Sequence, residues 1–267
     1  RIITQNENGP CPLIAICNVL ILRQEISIEP ASRSTVTFDH LVQILADKLP
    51  VPTTEDTPDR LSSLLTLLPQ LERGLDVNVH FHSIHSFEST PELALFVRLG
   101  VPLVHGWLPD VHGEFDLWEC LVARHPSYNK AVECLVRRNE LRDGTSNPSD
   151  GSAEDADMIM QDGTLIEDFL SNNPTQLTYH GLVTLSTELP DHYPVVFFRN
   201  NHFSTLYKRQ NGELYLLVTD TGYAAKSEVV WESLRDIDQD GSSFFNARFQ
   251  SSLTGDSGDA STSTPHQ

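Results

Sequence analysis

The sequence predicts a protein of the α+β class, and three features of the chain carry that prediction. Residues 13–22 are apolar except for Asn18, which indicates a buried helix near the start of the chain. Residues 75–82 alternate strictly between apolar and polar types, as a half-buried strand does. Residues 195–249 are rich in β-branched and aromatic side chains and contain Asn211-Gly212, a strong hairpin pattern. Helical patterns followed by a block of strands indicate separate helical and sheet regions.

Length and charge restrict the classes of function. The 267 residues suffice for one large domain or two small ones, and 39% are hydrophobic, enough for a sizeable core. The 18 basic and 37 acidic residues give a net charge of −19, which argues against a nucleic-acid partner and is compatible with a protein partner that has a basic face. No apolar run approaches the roughly 18 residues of a membrane span, and no secretory signal is present, so we expect no membrane partner. We also expect a monomer. The chain starts with Arg1 rather than Met, and we expect a domain of a longer protein.

The cysteines and histidines show no metal-binding pattern. The four cysteines, Cys11, Cys17, Cys120 and Cys134, form no Cys-x2-Cys pair, and the eleven histidines lack the spacing of a structural zinc site. We therefore expect neither a metal nor another cofactor. So few cysteines in so long a chain also make a poor disulfide framework, and we expect a reducing compartment, the cytoplasm and also the nucleus.

Cys11 is the residue best suited to be a nucleophile. Pro12 fits the first position of a helix, because its missing N–H needs no partner there, and Cys11 then lies at the helix N-terminus. Unpaired N–H groups and the helix dipole at that end favour a negative charge, so this thiol should ionise more readily than a free one. The amide of Gln5 is placed to donate a hydrogen bond to an anion beside the sulfur. Free cysteines are usually buried and act as small apolar side chains, and we interpret the other three cysteines in this way. For Cys11, the residues alone leave both a reactive and a structural role open.

The patterns along the chain predict the remaining elements. Helices are predicted from apolar residues at helical spacing and from capping or proline signals, and strands from alternation or from β-branched and aromatic runs. The predicted helices are 41–49, 61–71 with a kink at Pro69 and an end at Gly74, 90–99, 115–123, 127–141, a short helix opened by Thr164 and Glu167, and 176–189. The predicted strands are 75–82, 101–108, 195–198, 202–208, 213–219, 229–231 and 244–249, and loops are expected over 25–35 and 50–59.

Composition separates one domain from two segments of lower order. We expect a single domain over residues 1–250. Within it, residues 143–163 are rich in Asp, Ser, Gly and Asn and have little apolar content, which predicts a mobile surface insertion. Residues 251–267 have a similar composition and predict a disordered tail.

A thiolate needs a base, and His202 stands apart from the other histidines. It follows residues 199–201 at the edge of the strand block. If Asn211-Gly212 forms a two-residue turn, the resulting register makes Thr219 the diagonal neighbour of His202 on the same face of the sheet. A slip of one residue would bring Asp220 onto that face instead. The residue that orients His202 therefore depends on one unit of register.

Several motifs, in one order, resemble the MINDY family of deubiquitinases. They are Gln5 with residues 9–13, then residues 74–79, 105–108, 127–129, 176–182, 200–205 and 216–220. The resemblance covers about residues 2 to 250, and it implies a papain-like cysteine protease fold with residues 1–250 as the catalytic domain. It also implies hydrolysis of isopeptide bonds in lysine-48-linked polyubiquitin, which would be the partner, by a cysteine thiolate.

The resemblance assigns roles to residues of this chain. The family's nucleophile falls on Cys11, its general base on His202, its oxyanion-stabilising amide on Gln5 and its His-orienting residue on Thr219. The residues expected to contact ubiquitin are Val77, Trp107, Tyr128 and Phe198, of which Val77 and Phe198 are equally compatible with a place in the core. Two alternatives stay open: another papain-like activity, such as acyl transfer or cleavage of a ubiquitin-like modifier, and a non-catalytic or autoinhibited module that binds polyubiquitin.

Overall fold

Helix α1 (Cys11–Leu22) runs through the centre of the protein. It is seen in a computed structural model that describes residues 1–5, 11–49, 66–145 and 153–251. Every residue from 12 to 20 is buried, which confirms the central helix expected from the apolar run. Asn18, the polar residue within that run, is fully buried and bonds both backbone polar groups of Ile3. These bonds fix the N-terminal segment against the central helix.

Six further α-helices follow α1 in the described residues, and most begin at a capping side chain. They are α2 (Phe38–Lys48), α3 (Pro91–Arg98), α4 (Phe115–Trp118), α5 (Tyr128–Arg142), α6 (Ala153–Asn172) and α7 (Tyr179–Glu188). The hydroxyls of Thr37, Thr90, Ser127 and Thr178 accept hydrogen bonds from first-turn N–H groups of α2, α3, α5 and α7. These four helices confirm the corresponding predictions. The predicted helix over 115–123 is instead the short α4 followed by a π-helix, Glu119–Arg124.

The region before the first predicted strand is only partly described. The helix predicted over 61–71 is seen from residue 66, and most of what is seen is a 3-10 helix, Leu68–Arg73. Gly74 ends it as expected, with a φ of 89° that glycine adopts without strain. Residues 25–35 form the predicted loop, whereas the loop predicted over 50–59 lies outside the described residues.

The prediction of a mobile insertion over 143–163 is wrong for residues 153–163. These residues form the first half of α6, which packs along α5. Arg138 on α5 donates a hydrogen bond to the carbonyl oxygen of Gly163 at 2.8 Å, and a Cβ at Gly163 would lie 2.4 Å from the Arg138 side chain. Polar contacts of this kind hold the helix, so its low apolar content misled the prediction. Residues 146–152 lie outside the described part.

The prediction of a short helix that starts at Thr164 is also wrong. Thr164 lies inside α6, and its hydroxyl donates to the carbonyl oxygen of Met160, one turn earlier, at 3.0 Å. The Glu167 carboxylate forms an ion pair with Arg138 at 3.0 Å instead of completing a capping box.

A six-stranded mixed sheet contains the strand-rich C-terminal block. Its order is β1 to β6, with β1 parallel to β2 and every later pair antiparallel. The strands are β1 (Leu103–Val104), β2 (Val195–Arg199), β3 (His202–Lys208), β4 (Leu214–Leu217), β5 (Trp231–Ser233) and β6 (Phe244–Phe245). The α+β class is therefore confirmed, with a helical region around α1 and an antiparallel block that contains His202.

The two strands predicted in the middle of the chain are present only in part. Burial alternates over 75–82, with residues 77, 79 and 81 buried, but the segment makes isolated bridges rather than a ladder. Of residues 101–108, only Leu103–Val104 joins the sheet. In the part of the chain that the structure describes, no helix is both long and apolar enough to cross a bilayer. The tail predicted over residues 251–267 lies outside that part from residue 252 onward.

Candidate active site

The starts of α1 and β3 lie side by side. The Thr205 hydroxyl on β3 donates to the carbonyl oxygen of Ala15 on α1 at 3.3 Å, and the backbone N–H of Phe203 points toward the Cys11 sulfur. The two contacts agree in spacing, since four helical residues and two strand residues each advance the chain by about 6 Å. Helix and strand therefore run in the same direction, and Cys11 lies beside the residue that follows His202.

The Cys11 thiol is less acidic than the sequence suggested. Cys11 is the first residue of α1, as predicted. Burial raises its pKa above the ordinary value, and the N–H groups of Phe203 and of Cys11 itself offset this effect only in part. The thiol is therefore protonated at neutral pH in this arrangement.

His202 follows a tight turn at the end of the hairpin formed by β2 and β3. Arg199 and His202 are the last pair of that ladder, and Asn200 and Asn201 between them have φ values of 50° and 57°. Positive φ at both positions defines a two-residue type I′ turn, a conformation that asparagine tolerates better than most residues. We did not predict this turn, and the Asn-Asn pair was its signal in the sequence.

The imidazole of His202 is neutral at neutral pH. The residue is accessible to solvent, but the protein atoms that crowd part of its ring lower its pKa by desolvation. Among the described residues, no hydrogen bond joins this ring to the Cys11 sulfur. Strand alternation gives the reason: Phe203 and Thr205 lie on the face of β3 toward α1, and His202 belongs to the opposite face, as Arg199 does.

The hairpin after β3 has a different loop from the predicted one. Lys208 pairs with Leu214, so Arg209 aligns with Glu213 and three residues, 210–212, make the loop. Of the predicted Asn-Gly turn only Gly212 has a positive φ, 81°, and its N–H donates to the carbonyl oxygen of Arg209 at 2.9 Å. This is the three-residue loop with a left-handed glycine, and it shifts the register by one residue.

The shifted register changes the expected neighbour of His202. Extended past the pair Leu206–Leu216, where the continuous ladder ends, it aligns His202 with Asp220, the alternative that a one-residue slip allowed. Asp220 is exposed, and its Oδ1 accepts a hydrogen bond from the N–H of Gly222 at 2.6 Å. The register that led to Thr219 is therefore wrong. As the residue that orients His202, Thr219 stays a prediction that rests on the family resemblance.

Gln5 lies against the same segment. Its backbone N–H donates to the carbonyl oxygen of Thr219 at 2.6 Å, and it forms an isolated parallel bridge with Asp220. Two residues earlier, Ile3 is held to α1 by Asn18. The structure thus brings the chain at Gln5 beside the segment that follows β4, and the role of the Gln5 amide in stabilising an oxyanion stays a prediction.

Of the four residues expected to contact ubiquitin, only Tyr128 reaches the surface. It is 37% exposed, whereas Val77, Trp107 and Phe198 are at most 9% exposed. The Trp107 ring lies 5.6 Å from that of Tyr128 and 5.8 Å from that of Phe169, measured between centroids. Their burial argues against direct contact by Val77, Trp107 and Phe198, and Trp107 supports the Tyr128 ring from below.

One group of side chains has the residue types of a metal site. Ligand-type atoms of Cys120, His125 and Asp162 lie within 4.8 Å of one another. The Asp162 carboxylate already accepts two hydrogen bonds from the Arg124 guanidinium, at 2.9 and 2.7 Å, and contacts His125 Nε2 at 3.0 Å. The guanidinium supplies the positive charge that a metal ion would bring. We therefore interpret the group as an ion-pair network that holds α6 to the π-helix.

The other cysteines are buried, free thiols, as expected for small apolar side chains. Burial raises the pKa of Cys17 to about 12, and burial together with the Asp162 charge raises that of Cys120 to about 12. Burial also raises the pKa of Cys134. Cys11 is the cysteine that keeps partial access to solvent.

Comparison with known proteins agrees with the resemblance seen in the motifs. The family model described as MINDY deubiquitinase matches residues 1–249. The chain is 40% identical to ubiquitin carboxyl-terminal hydrolase MINDY-2 of Mus musculus, 41% to MINDY-2 of Homo sapiens and 40% to MINDY-1 of Bos taurus, each over 248 residues. Each match covers 90% of this chain but only 38%, 37% and 49% of the relatives' own lengths. The chain therefore spans less than half of these relatives.

Proposed function

Since this match extends over residues 1–249, the chain belongs to the MINDY deubiquitinase family, and we propose that it hydrolyses the isopeptide bonds of polyubiquitin with Cys11 as the nucleophile. One observation supports this most directly: the start of α1, with Cys11, lies beside the start of β3, with His202. The relatives' name, ubiquitin carboxyl-terminal hydrolase, describes the same reaction.

The reaction starts from a neutral thiol and a neutral imidazole. His202 takes the proton from the Cys11 sulfur, which attacks the carbonyl carbon of the C-terminal glycine of ubiquitin. The Gln5 amide and the backbone N–H of Cys11 donate hydrogen bonds to the tetrahedral oxyanion, and one such donor contributes about 3 kcal/mol. The imidazolium then protonates the leaving lysine amine. Water activated by His202 finally hydrolyses the thioester.

This sequence of steps requires a rearrangement before attack. The His202 ring belongs to the face of β3 opposite α1 and makes no hydrogen bond to the sulfur in the described part of the chain. His202 lies at the first position of β3, directly after the Asn200–Asn201 turn. In our proposal, bound ubiquitin favours the arrangement in which the ring and the sulfur meet.

We further propose lysine-48-linked polyubiquitin as the substrate, on the strength of the family resemblance. The net charge of −19 suits the basic C-terminal tail of ubiquitin, which must reach Cys11. We propose that the protein acts as a monomer in the cytoplasm or the nucleus, where its free cysteines stay reduced.

Incubation of the protein with lysine-48-linked chains of several lengths tests the proposal. The wild type should shorten the chains, whereas Cys11→Ala should bind them without cleavage. Chains of equal length with another linkage are the matched substrates and should be cleaved more slowly. Binding without cleavage by both proteins would support a non-catalytic polyubiquitin-binding module. Equal cleavage by both would exclude Cys11 as the nucleophile.

A further inference from the structure

The Arg199 side chain joins three segments beside the turn that precedes His202. Its Nε donates to the carbonyl oxygen of Thr175 at 2.9 Å, its Nη1 to Oε1 of Gln239 at 2.8 Å and its Nη2 to the carbonyl oxygen of Ile237 at 2.5 Å. Thr175 belongs to the connection between α6 and α7, and the other two acceptors belong to the connection between β5 and β6. The Thr175 hydroxyl also donates to the carbonyl oxygen of Ile237, at 2.8 Å. One guanidinium thus ties two connections to the end of β2.

The turn itself has a second attachment. The N–H of Asn200 donates to Oε1 of Gln176 at 3.0 Å. Backbone hydrogen bonds hold the segment that contains Gln176. The N–H of Gln176 donates to the carbonyl oxygen of Asn173 at 3.0 Å, and the N–H of Thr178 donates to the carbonyl oxygen of Gly106 at 3.1 Å. The backbone at Gln176, whose side chain accepts the hydrogen bond from the turn, is therefore held in place.

These contacts act on His202 through the backbone and through its nearest cross-strand neighbour. Arg199 and His202 are directly opposite at the end of the ladder, where paired side chains share one face. Burial of the guanidinium lowers the pKa of Arg199, and the negative charges of Asp238 and Asp236 offset part of this effect. Because the His202 ring makes no side-chain hydrogen bond within the described residues, its location depends on the backbone of the turn.

We propose that Arg199 and Gln176 are positioning residues for His202, which hold the Asn200–Asn201 turn fixed, so that the rearrangement that brings the imidazole to the Cys11 sulfur starts from one defined backbone. The inference rests on the proposed cysteine-protease function. Neither residue touches the reacting atoms, so both are positioning residues and not catalytic ones. Misplacement of a reacting group by about 1 Å can cost about 100-fold in rate.

Arg199→Met is the principal variant, since it removes three donors and keeps most of the apolar stem. Arg209→Met is the matched control at the other end of β3, because it removes a guanidinium that pairs with Glu213 at 3.6 Å and lies 4.9 Å from the Phe249 ring. Single-turnover cleavage of lysine-48-linked chains, with protein in excess, separates the rate of the chemical step from Kd. Arg199→Met should be about 10- to 100-fold slower with an unchanged Kd, and Arg209→Met should stay within about two-fold of the wild type.

A second pair of variants keeps the test decisive if Arg199→Met does not fold. Gln176→Met removes the acceptor of the Asn200 N–H, whereas Gln176→Glu keeps an acceptor at the same distance. The single-turnover rate should fall in the first variant and recover in the second. The pH profile of that rate should also move in Arg199→Met and Gln176→Met, because it reports on His202 in the bound complex.

Amide hydrogen exchange separates this inference from the proposed function. Without substrate, exchange at residues 200–203 should be faster in Arg199→Met and Gln176→Met than in the wild type or Arg209→Met. If the wild type cleaves no chain, the proposed function fails, and exchange alone decides whether these residues hold the turn. An exchange rate at residues 200–203 that is the same in Arg199→Met and Gln176→Met as in the wild type would overturn the inference. So would a lower melting temperature accompanied by a wild-type rate and pH profile.

Discussion

Replacement of Asn18 by leucine should destabilise the protein and loosen the segment that contains Gln5. The Asn18 Oδ1 accepts from the N–H of Ile3 at 2.7 Å, and its Nδ2 donates to the carbonyl oxygen of Ile3 at 2.9 Å. Leucine has a similar volume but leaves both backbone groups of Ile3, a residue only 7% exposed, without these partners. Each buried and unsatisfied group costs about 1–3 kcal/mol, so the free energy of unfolding should fall by about 2–6 kcal/mol. For a domain of this size the melting temperature should fall by about 4–24 °C.

Urea unfolding of the wild type and two variants measures this loss. Gln43→Ala is the control, because the Gln43 amide donates to Asp47 at 2.8 Å on the exposed side of α2 and should contribute less than about 0.5 kcal/mol. Well below its melting temperature, Asn18→Leu should still cleave polyubiquitin more slowly, since the bond from Gln5 to Thr219 lies two residues from the lost contacts. If the free energy of unfolding of Asn18→Leu equals that of Gln43→Ala, the reasoning that these two bonds hold residues 1–5 is refuted.

Three further predictions follow from other contacts. Alkylation of Cys11 by iodoacetamide should rise with pH through a midpoint above the value of about 8.5 for a free thiol, because burial raises its pKa; a lower midpoint would contradict this. Gly181→Ala should lower the free energy of unfolding in urea by at least about 1–3 kcal/mol, since a Cβ there would lie 1.8 Å from the backbone oxygen of Gly106 and α7 would have to move. Burial raises the pKa of Asp162, but hydrogen bonds from Arg124 and the adjacent histidine outweigh it and hold that pKa below its usual value. Asp162→Asn should therefore cost about 3–5 kcal/mol near neutral pH, and urea titrations should show the difference shrink as the pH falls below about 4.

Elements with a signal in their own residues could be predicted from the sequence. The apolar run after Cys11 gave α1, and the hydroxyls of Thr90 and Ser127 marked the starts of α3 and α5. The prediction for residues 153–163 failed because the contacts that order this segment come from α5, and the composition of the segment does not reveal them. Local propensity therefore predicts an element when its stabilising contacts are local or apolar, and fails when distant polar groups supply them.

The candidate site follows the same rule. Cys11 and His202 could be recognised one at a time, but their relation depends on how α1 packs against β3 and on how each hairpin turns. The Asn-Gly pair predicted a two-residue turn and formed a three-residue loop, whereas Asn200 and Asn201 formed the two-residue turn. Register is decided by the φ angles of one or two residues, and propensities for those angles differ too little between neighbouring positions to settle it.

The charge state of the nucleophile shows why the site's chemistry was the hardest part to predict. The sequence places Cys11 at a helix N-terminus, which favours the thiolate, but the desolvation that reverses this depends on how β3 covers the sulfur. His202 is shifted in the opposite direction, toward its neutral form, so neither group stabilises the other as an ion pair at rest. In the proposed reaction, the proton then leaves the sulfur in the same step in which the substrate carbonyl is attacked, or after bound ubiquitin has brought the ring to the sulfur. In either case our proposal assigns the nucleophilicity of Cys11 to the complex with ubiquitin, since burial raises the pKa of this thiol in the free protein.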